Sequence, residues 1–556
     1  ADDVAALTYG TQVIAVDNHP SQQTGFTLAS VGLGQLLDVS LVNGLTNPIK
    51  FNVDDGATRT ITVQANVLGV TLGGFDLYVY RFNESIQQYE QYRVQPNWVT
   101  ALLGGSSPAY TITLPGGDYL FLLNASGGLT LLTSYTLNIQ ADHTYAVDSL
   151  SAATNGNLLA NDSAPANTVI TEVNGVTVNT TGTTTINGQY GTLTIDAKGN
   201  YTYTLRSGLG ADGINTPDSF VYKVKAPNGD TGSASLNITA TPQALDAVND
   251  ISSQMAVTTQ ADTSRSFTDN SVGNASWSAQ LLSPTSQNGT GVIEVATGTA
   301  VQNAILHFNV ASGLTLGGLT VTWALYDSNN VKIAGNSFNG GLLIGGNIDI
   351  ALSGVVLHPG NYRLDYTGSV GALGLGNITI TPSVKGTIID LQNFETSTAN
   401  SVTGNIYDGD HIASVHTLLT VNGTGGSAAT LDPLSSTTSA IINGLYGKLT
   451  IGIDGHYTYA LNSDVSLSTI VTKEIFTYTL NDLNGHTDTA TLTINMNPQV
   501  VSTVDADRLT GSAYGDTLIY HLLNANDATG GNGTADTWTN FSLAQGDKID
   551  IGDLLV

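Results

Sequence analysis

Apolar and polar residues alternate one by one along short runs of this chain, as in Tyr201-Thr202-Tyr203-Thr204-Leu205, Leu236-Asn237-Ile238-Thr239 and Thr491-Leu492-Thr493-Ile494-Asn495-Met496. A period of two belongs to a strand that buries one face. Asn-Gly pairs at 174–175, 187–188, 228–229, 422–423, 443–444 and 484–485 punctuate the runs as hairpin turns. No helical period of about 3.6 residues with capping residues is sustained anywhere. Several short strands per domain predict an all-β protein of tandem immunoglobulin- or cadherin-like β-sandwich domains in an extended array.

The pattern repeats at long range. Asn187-Gly188-Gln189-Tyr190-Gly191-Thr192-Leu193-Thr194-Ile195 returns as Asn443-Gly444-Leu445-Tyr446-Gly447-Lys448-Leu449-Thr450-Ile451, an offset of 256. Phe220-Val221-Tyr222 and Phe476-Thr477-Tyr478 keep that offset, while Gly156-Asn157-Leu158 and Gly404-Asn405-Ile406 are 248 apart. A weaker second repeat links Gly69–Gly74 to Gly313–Gly318 and Pro115–Tyr119 to Pro359–Tyr362. The expected order is therefore A (1–141), B (142–243), A′ (244–384), B′ (385–499) and a tail (500–556). A short signature marks the module starts at Ala15-Val16-Asp17-Asn18, Ala146-Val147-Asp148-Ser149 and Ala247-Val248-Asn249-Asp250, and B′ shows no clear copy.

Composition narrows the function. Charged residues make up 11%, and 44 acidic against 16 basic residues leave a net charge of -28. A nucleic-acid binder needs a cationic footprint, which this chain lacks, and anionic membrane surfaces are disfavoured for the same reason. Cysteine is absent, so no disulfide staples the folds. No apolar run reaches the roughly 20 residues of a membrane span. The chain starts at Ala1 without Met or signal peptide, which suggests an excised piece of a longer protein.

Catalytic motifs are missing: there is no Gly-x-Ser-x-Gly elbow, His-Glu-x-x-His helix or Walker loop. The Gly208, Gly210, Gly213 spacing lies between strands and is expected to form a turn. The chain is thus expected not to be an enzyme. The acidic residues at module junctions are instead candidate ligands for Ca2+, which takes about 6–8 oxygens. They are Asp17 at the start of A and Asp142, Asp148, Asn157, Asn161 and Asp162 at the A–B junction. Asp246, Asn249 and Asp250 follow at B–A′, and Asp408, Asp410, Asp482 and Asp488 within B′. The alternative is that they cap strands and turns.

Modules B and B′ resemble the VCBS-type, cadherin-like repeats of giant bacterial adhesins. Gly156-Asn157-Leu158-Leu159-Ala160-Asn161-Asp162, Tyr190–Ile195, Gly199–Tyr203 and Phe220-Val221-Tyr222 carry the likeness. B reads Asp162-Ser163-Ala164-Pro165 where such repeats commonly carry an Asp-x-Asp-Gly-Asp loop. A and A′ look like the partner domains of biofilm-associated proteins of the Bap and BapA-like group. In the tail, Gly511–Tyr520, Gly530–Trp538 and Asp547–Ile551 resemble a type I secretion C-terminal target region of the RTX-adhesin kind, truncated at Val556.

The resemblance implies the stalk of a secreted, calcium-stabilised cell-surface adhesin, active in cell adhesion and biofilm formation. Its implied partners are a host or abiotic surface, neighbouring bacterial cells, the type I secretion machinery and further copies of itself. No nucleic acid and no membrane insertion are expected. A second reading makes A and A′ lectin-like or peptide-binding modules with loop sites, Trp98 serving as a stacking platform.

Overall fold

The structure, a computed structural model, describes residues 1–27, 36–39, 42, 48–125, 133–270, 272–315, 318–340, 345–435, 437–463, 465–519 and 536–552. Strands dominate it, and the chain forms an all-β protein of sandwich-type sheets. Two compact units interleave along the sequence. The first holds Ala1–Ile251, Thr403–Tyr459 and Ile475–Thr493, and the second Ser252–Val402, Ala460–Glu474 and Ile494–Val556.

In the first unit, B is a two-sheet sandwich. One sheet runs in the order Asp3–Tyr9, Thr231–Pro242, Asp218–Lys225, Val169–Val173, Val176–Thr177. The other runs Thr183–Asn187, Gly191–Asp196, Asn200–Leu205, Ala152–Asn157. Alternation of the kind seen in Asn200–Leu205, exposed and buried by turns, lays Tyr201, Tyr203 and Leu205 onto a shared core with Phe220, Tyr222, Leu236 and Ile238. The first strand is the unexpected member. Asp3–Tyr9 pairs in parallel with Leu236–Pro242 and sinks Leu7 and Tyr9 into that core.

The expected boundary at 141/142 crosses these pairings at two places. It gives Asp3–Tyr9 to A, whereas the strand bonds to B. It also cuts A's closing strand, Thr133–Ser149, whose Thr144–Ser149 half is registered with Thr11–Val16 of A. A is therefore inserted between the first strand of B and the remainder of B. A's own sheet is built on the long bulged segment Ile49–Asn83, which pairs with Gln88–Ser106, Tyr110–Ala125 and Thr133–Ser149. Its core centres on Ile61, Val63, Phe75, Leu77, Leu137 and Ile139.

The same logic recovers the signature missing from B′. Asp2 accepts from the backbone and hydroxyl of Ser235, and Asn249 accepts from the backbone and hydroxyl of Thr491 in the same way. Val248-Asn249-Asp250 thus occupies in B′ the place of Ala1-Asp2-Asp3 in B. B′ begins ahead of A′ rather than near Lys385, which lies mid-strand in A′, registered with Ile305. In the first unit B′ also pairs Leu418–Gly423 with Ile475–Asn481 and Ser439–Asn443 with Gly447–Gly452.

In the second unit, A′ sets the sheet Thr285–Val295, Gly360–Val370, Leu319–Tyr326, Lys332–Gly340 over a core of Leu306, Phe308, Val321, Leu325, Leu364 and Ile380. A and A′ share a tyrosine that bonds the carbonyl four residues upstream: Tyr119 to Pro115 at 2.7 Å and Tyr362 to His358 at 3.0 Å. The tail stacks short parallel strands, Gln499–Val501 on Thr517–Ile519 on Lys548–Asp550, and Arg508–Leu509 on Thr537–Trp538. The resembled calcium nonapeptide at 530–538 lies mostly outside the described residues.

Candidate functional site: a tyrosine–carboxylate centre built twice

Each B-type module buries a tyrosine at the middle of the same alternating strand, Tyr222 in Asp218–Lys225 and Tyr478 in Ile475–Asn481, both 1% exposed. A buried phenol must find a hydrogen-bond partner. Tyr222 donates to Asp3 Oδ2 at 2.7 Å, with the Ala1 and Leu158 carbonyls at 3.1 and 3.4 Å. Tyr478 faces a more crowded set. The Val248 carbonyl lies at 2.7 Å, Asp250 Oδ2 at 3.0 Å, the Ile406 carbonyl at 3.2 Å, and the two Asp410 oxygens at 3.2 and 3.0 Å.

One phenol carries one proton, so it cannot satisfy all five of these oxygens. The Val248 N–H adds a single further donor, to Asp410 Oδ1 at 2.6 Å. Electrostatics records the crowding. Burial first, then Asp250 and Asp246, push the Asp410 carboxyl up to about 7 against the pull of the Val248 and Tyr478 hydrogen bonds. Burial and Asp408 raise Asp250 to about 6. Burial, Asp410 and Asp250 hold the Tyr478 phenol firmly protonated. Such a site can share a proton between carboxyls, or it can hold a hard cation on carboxylate and carbonyl oxygen. Among the described residues, no three His, Cys, Asp or Glu side chains converge as a ligand set, so a cation here relies on backbone carbonyls as well.

Of the expected ligands, Asp250 and Asp410 meet at Tyr478, with Asp246 and Asp408 near enough to act on their charge. Asp162 holds the equivalent place in B, near enough for its charge to bear on Tyr222. The others are spent elsewhere. Asp142 is 3% exposed and makes a two-pronged pair with Arg59 at 2.8 and 2.7 Å. Asp17 is exposed and sits 3.5 Å from His143. Asp148 pairs through its backbone with Gly210, and burial together with Asp54 raises its carboxyl.

Asn157 closes a turn by accepting from Leu159 and donating to Lys198 and Asn200, and Asn161 is exposed. Asp482 caps the hairpin at Asn484 and His486, while Asp488 accepts from Ala247 and Thr489. The A–B junction therefore does not gather its five expected residues into one site. Sequence reasoning missed Asp2, Asp3 and both tyrosines as site residues. The offset of 247 between Ala1-Asp2-Asp3 and Val248-Asn249-Asp250 was the signal. Trp98 is no stacking platform: it is 3% exposed, inside the A core, edge-on to Tyr110.

A bacterial Ig domain model matches residues 134–239. The match opens inside A's closing strand and omits Asp3–Tyr9, as a contiguous model must when a domain is inserted after the first strand. No curated protein matches the chain. Among solved structures, the bacteriophage CBA120 tailspike protein 4 enzymatically active domain is 15% identical over 24% of this chain and 19% of its own, with a TM-score of 0.16. The M60 catalytic domain of Clostridium perfringens ZmpB with its CBM51-1 and CBM51-2 domains is 9% identical over 62% and 34%, at 0.13. The CBM22-1-CBM22-2 tandem of Paenibacillus barcinonensis Xyn10C is 10% identical over 70% and 99%, at 0.12. The chain spans about a fifth and a third of the first two, and scores this low establish neither shared fold nor shared function. The chain is thus an all-β protein of sandwich-type domains, one of them similar to bacterial Ig domains.

Proposed function

We propose that this chain is a stalk segment of a secreted bacterial adhesin, in which calcium stiffens the B-type sandwiches as they fold outside the cell. The Ig-type match supports a structural role at a surface. The observation that carries the calcium reading is the set of five oxygens around the Tyr478 hydroxyl, held together with too few donors. Asp250 and Asp410 and the Val248 and Ile406 carbonyls are the groups that would hold the ion. Oxygen ligands of this kind suit a hard divalent cation. Calcium would supply the positive charge that neighbouring side chains do not, and so fix the start of B′ against its central strand.

In this reading the protein has no catalytic role. It spaces an adhesive tip from the cell in biofilms, its partners being surfaces, neighbouring cells and the type I export apparatus. A chain without disulfides threads unfolded, and an ion that binds only the folded state adds stability on arrival. The test is small-angle scattering with thermal melts, in excess calcium and in excess chelator. At about 100 times the dissociation constant, calcium adds about 2.7 kcal/mol, on the order of 10 °C for a domain of this size. A longer, stiffer particle that melts higher in calcium supports the reading. Identical profiles and melts in both buffers reject it.

A further inference from the structure

One hairpin occurs in both B-type modules and is tied down differently in each. In B it reads Ala226-Pro227-Asn228-Gly229-Asp230, between Asp218–Lys225 and Thr231–Pro242. In B′ it reads Asp482-Leu483-Asn484-Gly485-His486, between Ile475–Asn481 and Thr487–Val501. The ring of Pro227 forbids a positive φ, whereas Leu483 sits in the left-handed region at φ 60° and Gly485 follows at 101°. That conformation is uncommon for leucine. The two turns then bond differently. In B the Gly229 N–H donates to the Ala226 carbonyl at 3.0 Å. The Asn228 amide donates to Asp230 at 2.6 Å, and its oxygen accepts the Asp230 N–H at 3.1 Å. In B′ it is Asp482 that holds the turn, accepting the N–H groups of Asn484 and His486 at 2.8 and 3.1 Å. The exposed Asn484 side chain and the Gly485 N–H have no hydrogen-bond partner among the described residues.

The other Asn-Gly hairpin pairs each lack one of these freedoms. Gly188, Gly423 and Gly444 donate their N–H groups to the carbonyls of Gly191, Ser427 and Gly447, each at 2.8 Å. Asn174 accepts the Val221 N–H at 2.8 Å and donates to the Ser219 carbonyl at 3.4 Å. A free backbone nitrogen beside a free asparagine amide is the arrangement that ring closure needs. Glycine puts no Cβ in the way of that closure, and around Gly485 there is nothing within 4 Å of where a Cβ would stand.

We propose that Asn484 is a self-modification site. The Gly485 nitrogen attacks the Asn484 side-chain carbon and closes a cyclic imide; its proton ends on the departing amide, which leaves as ammonia. Water then opens the ring. Attack at the side-chain carbonyl gives aspartate, and attack at the main-chain carbonyl gives isoaspartate, with the chain routed through the side chain. Either product adds a negative charge to B′, and isoaspartate also shifts the N–H groups that Asp482 holds. B′ thus carries an ageing site that its copy B keeps locked, whether or not calcium stiffens either module. The test is peptide mapping by mass spectrometry on the full chain, incubated in warm, mildly alkaline buffer. Asn484 should convert about 10-fold faster than Asn228, the factor carried by one or two neutral hydrogen bonds that must open first. Leu483→Pro combined with His486→Asp gives B′ the turn of B and should slow Asn484 by that factor. The reverse exchange, Pro227→Leu with Asp230→His, should speed Asn228. All four positions are exposed, so neither exchange disturbs a core. Equal rates at Asn484 and Asn228 in the wild type, or an Asn484 rate that the exchange leaves unchanged, overturn the proposal.

Discussion

The two copies of the tyrosine centre use one backbone plan and solve its charge problem differently. In B, the phenol of Tyr222 meets a single carboxylate, Asp3, beside the Ala1 and Leu158 carbonyls. In B′, Asp250 and Asp410 share the proton of Tyr478 and one backbone N–H, while Asp408 stands where B has Ala160 and adds another negative charge. The lesson is that duplication preserved the cage and not the number of carboxylates crowded into it. An acidic residue at a module junction is informative only once its partner is known.

The largest effect should come from a carboxylate outside both centres that already has its cation, Asp142 against Arg59 in A. Removing one member of a buried ion pair strands the other, at a cost of about 3–5 kcal/mol when burial is complete. The Arg59 side chain is 23% exposed, so about 3 kcal/mol is expected for Asp142→Asn. The loss should be the same in calcium and in chelator, measured by paired thermal melts. A loss that appears only in calcium would make Asp142 an ion ligand rather than half of an ion pair.

Next comes the pH response of B′ without metal. The Asp410 carboxyl titrates near 7 in the folded chain against an ordinary 3.8, so the stability it contributes is complete below about pH 4 and lost as pH rises to 7. Asp250 acts in the same sense up to about pH 6. Asp410 is 8% exposed, so its share is on the order of a few kcal/mol. In chelator, wild type should melt higher at pH 5 than at pH 8, and Asp410→Asn should flatten that difference. Burial pushes Asp507 and Asp516 in the tail the same way, so the difference between wild type and variant is the quantity to read. Calcium should act oppositely, helping most at pH 8, where its ligands are ionised. Equal pH slopes for wild type and variant would count against Asp410 as the strained group.

Much of the fold was legible because alternation reports burial directly. Tyr201, Tyr203 and Leu205 face inward as their period of two requires. The repeats at offsets 256 and 248 likewise marked out segments that take the same strands. What stayed hidden was connectivity. Asp3–Tyr9 reads as a strand of whatever follows it, and nothing local says that its partner lies some 230 residues later at Leu236. The site was half legible for the same reason. Asp250 and Asp410 stand out as acids beside turns, whereas Tyr222 and Tyr478 look like ordinary inward strand residues until Asp3 and Asp250 are brought against them from distant sequence. Asp142 misled because a sequence shows a carboxylate without showing Arg59 opposite.

The smallest effect is the sharpest test of the comparison. Tyr222→Phe removes one hydroxyl whose main bond is to Asp3, so about 1 kcal/mol should be lost, with or without calcium. Tyr478→Phe removes the one side-chain donor that Asp250 and Asp410 share. In chelator those carboxylates keep only the Val248 N–H, and the cost should exceed that of Tyr222→Phe by about 1 kcal/mol. In calcium the ordering should reverse or vanish, because an ion seated on the same oxygens replaces the lost proton as their counter-charge. Four melts of the two variants, with and without calcium, form the cycle whose cross term isolates that replacement. A cross term of zero would mean that the two centres differ in crowding alone, and that the protein, not a metal, balances both.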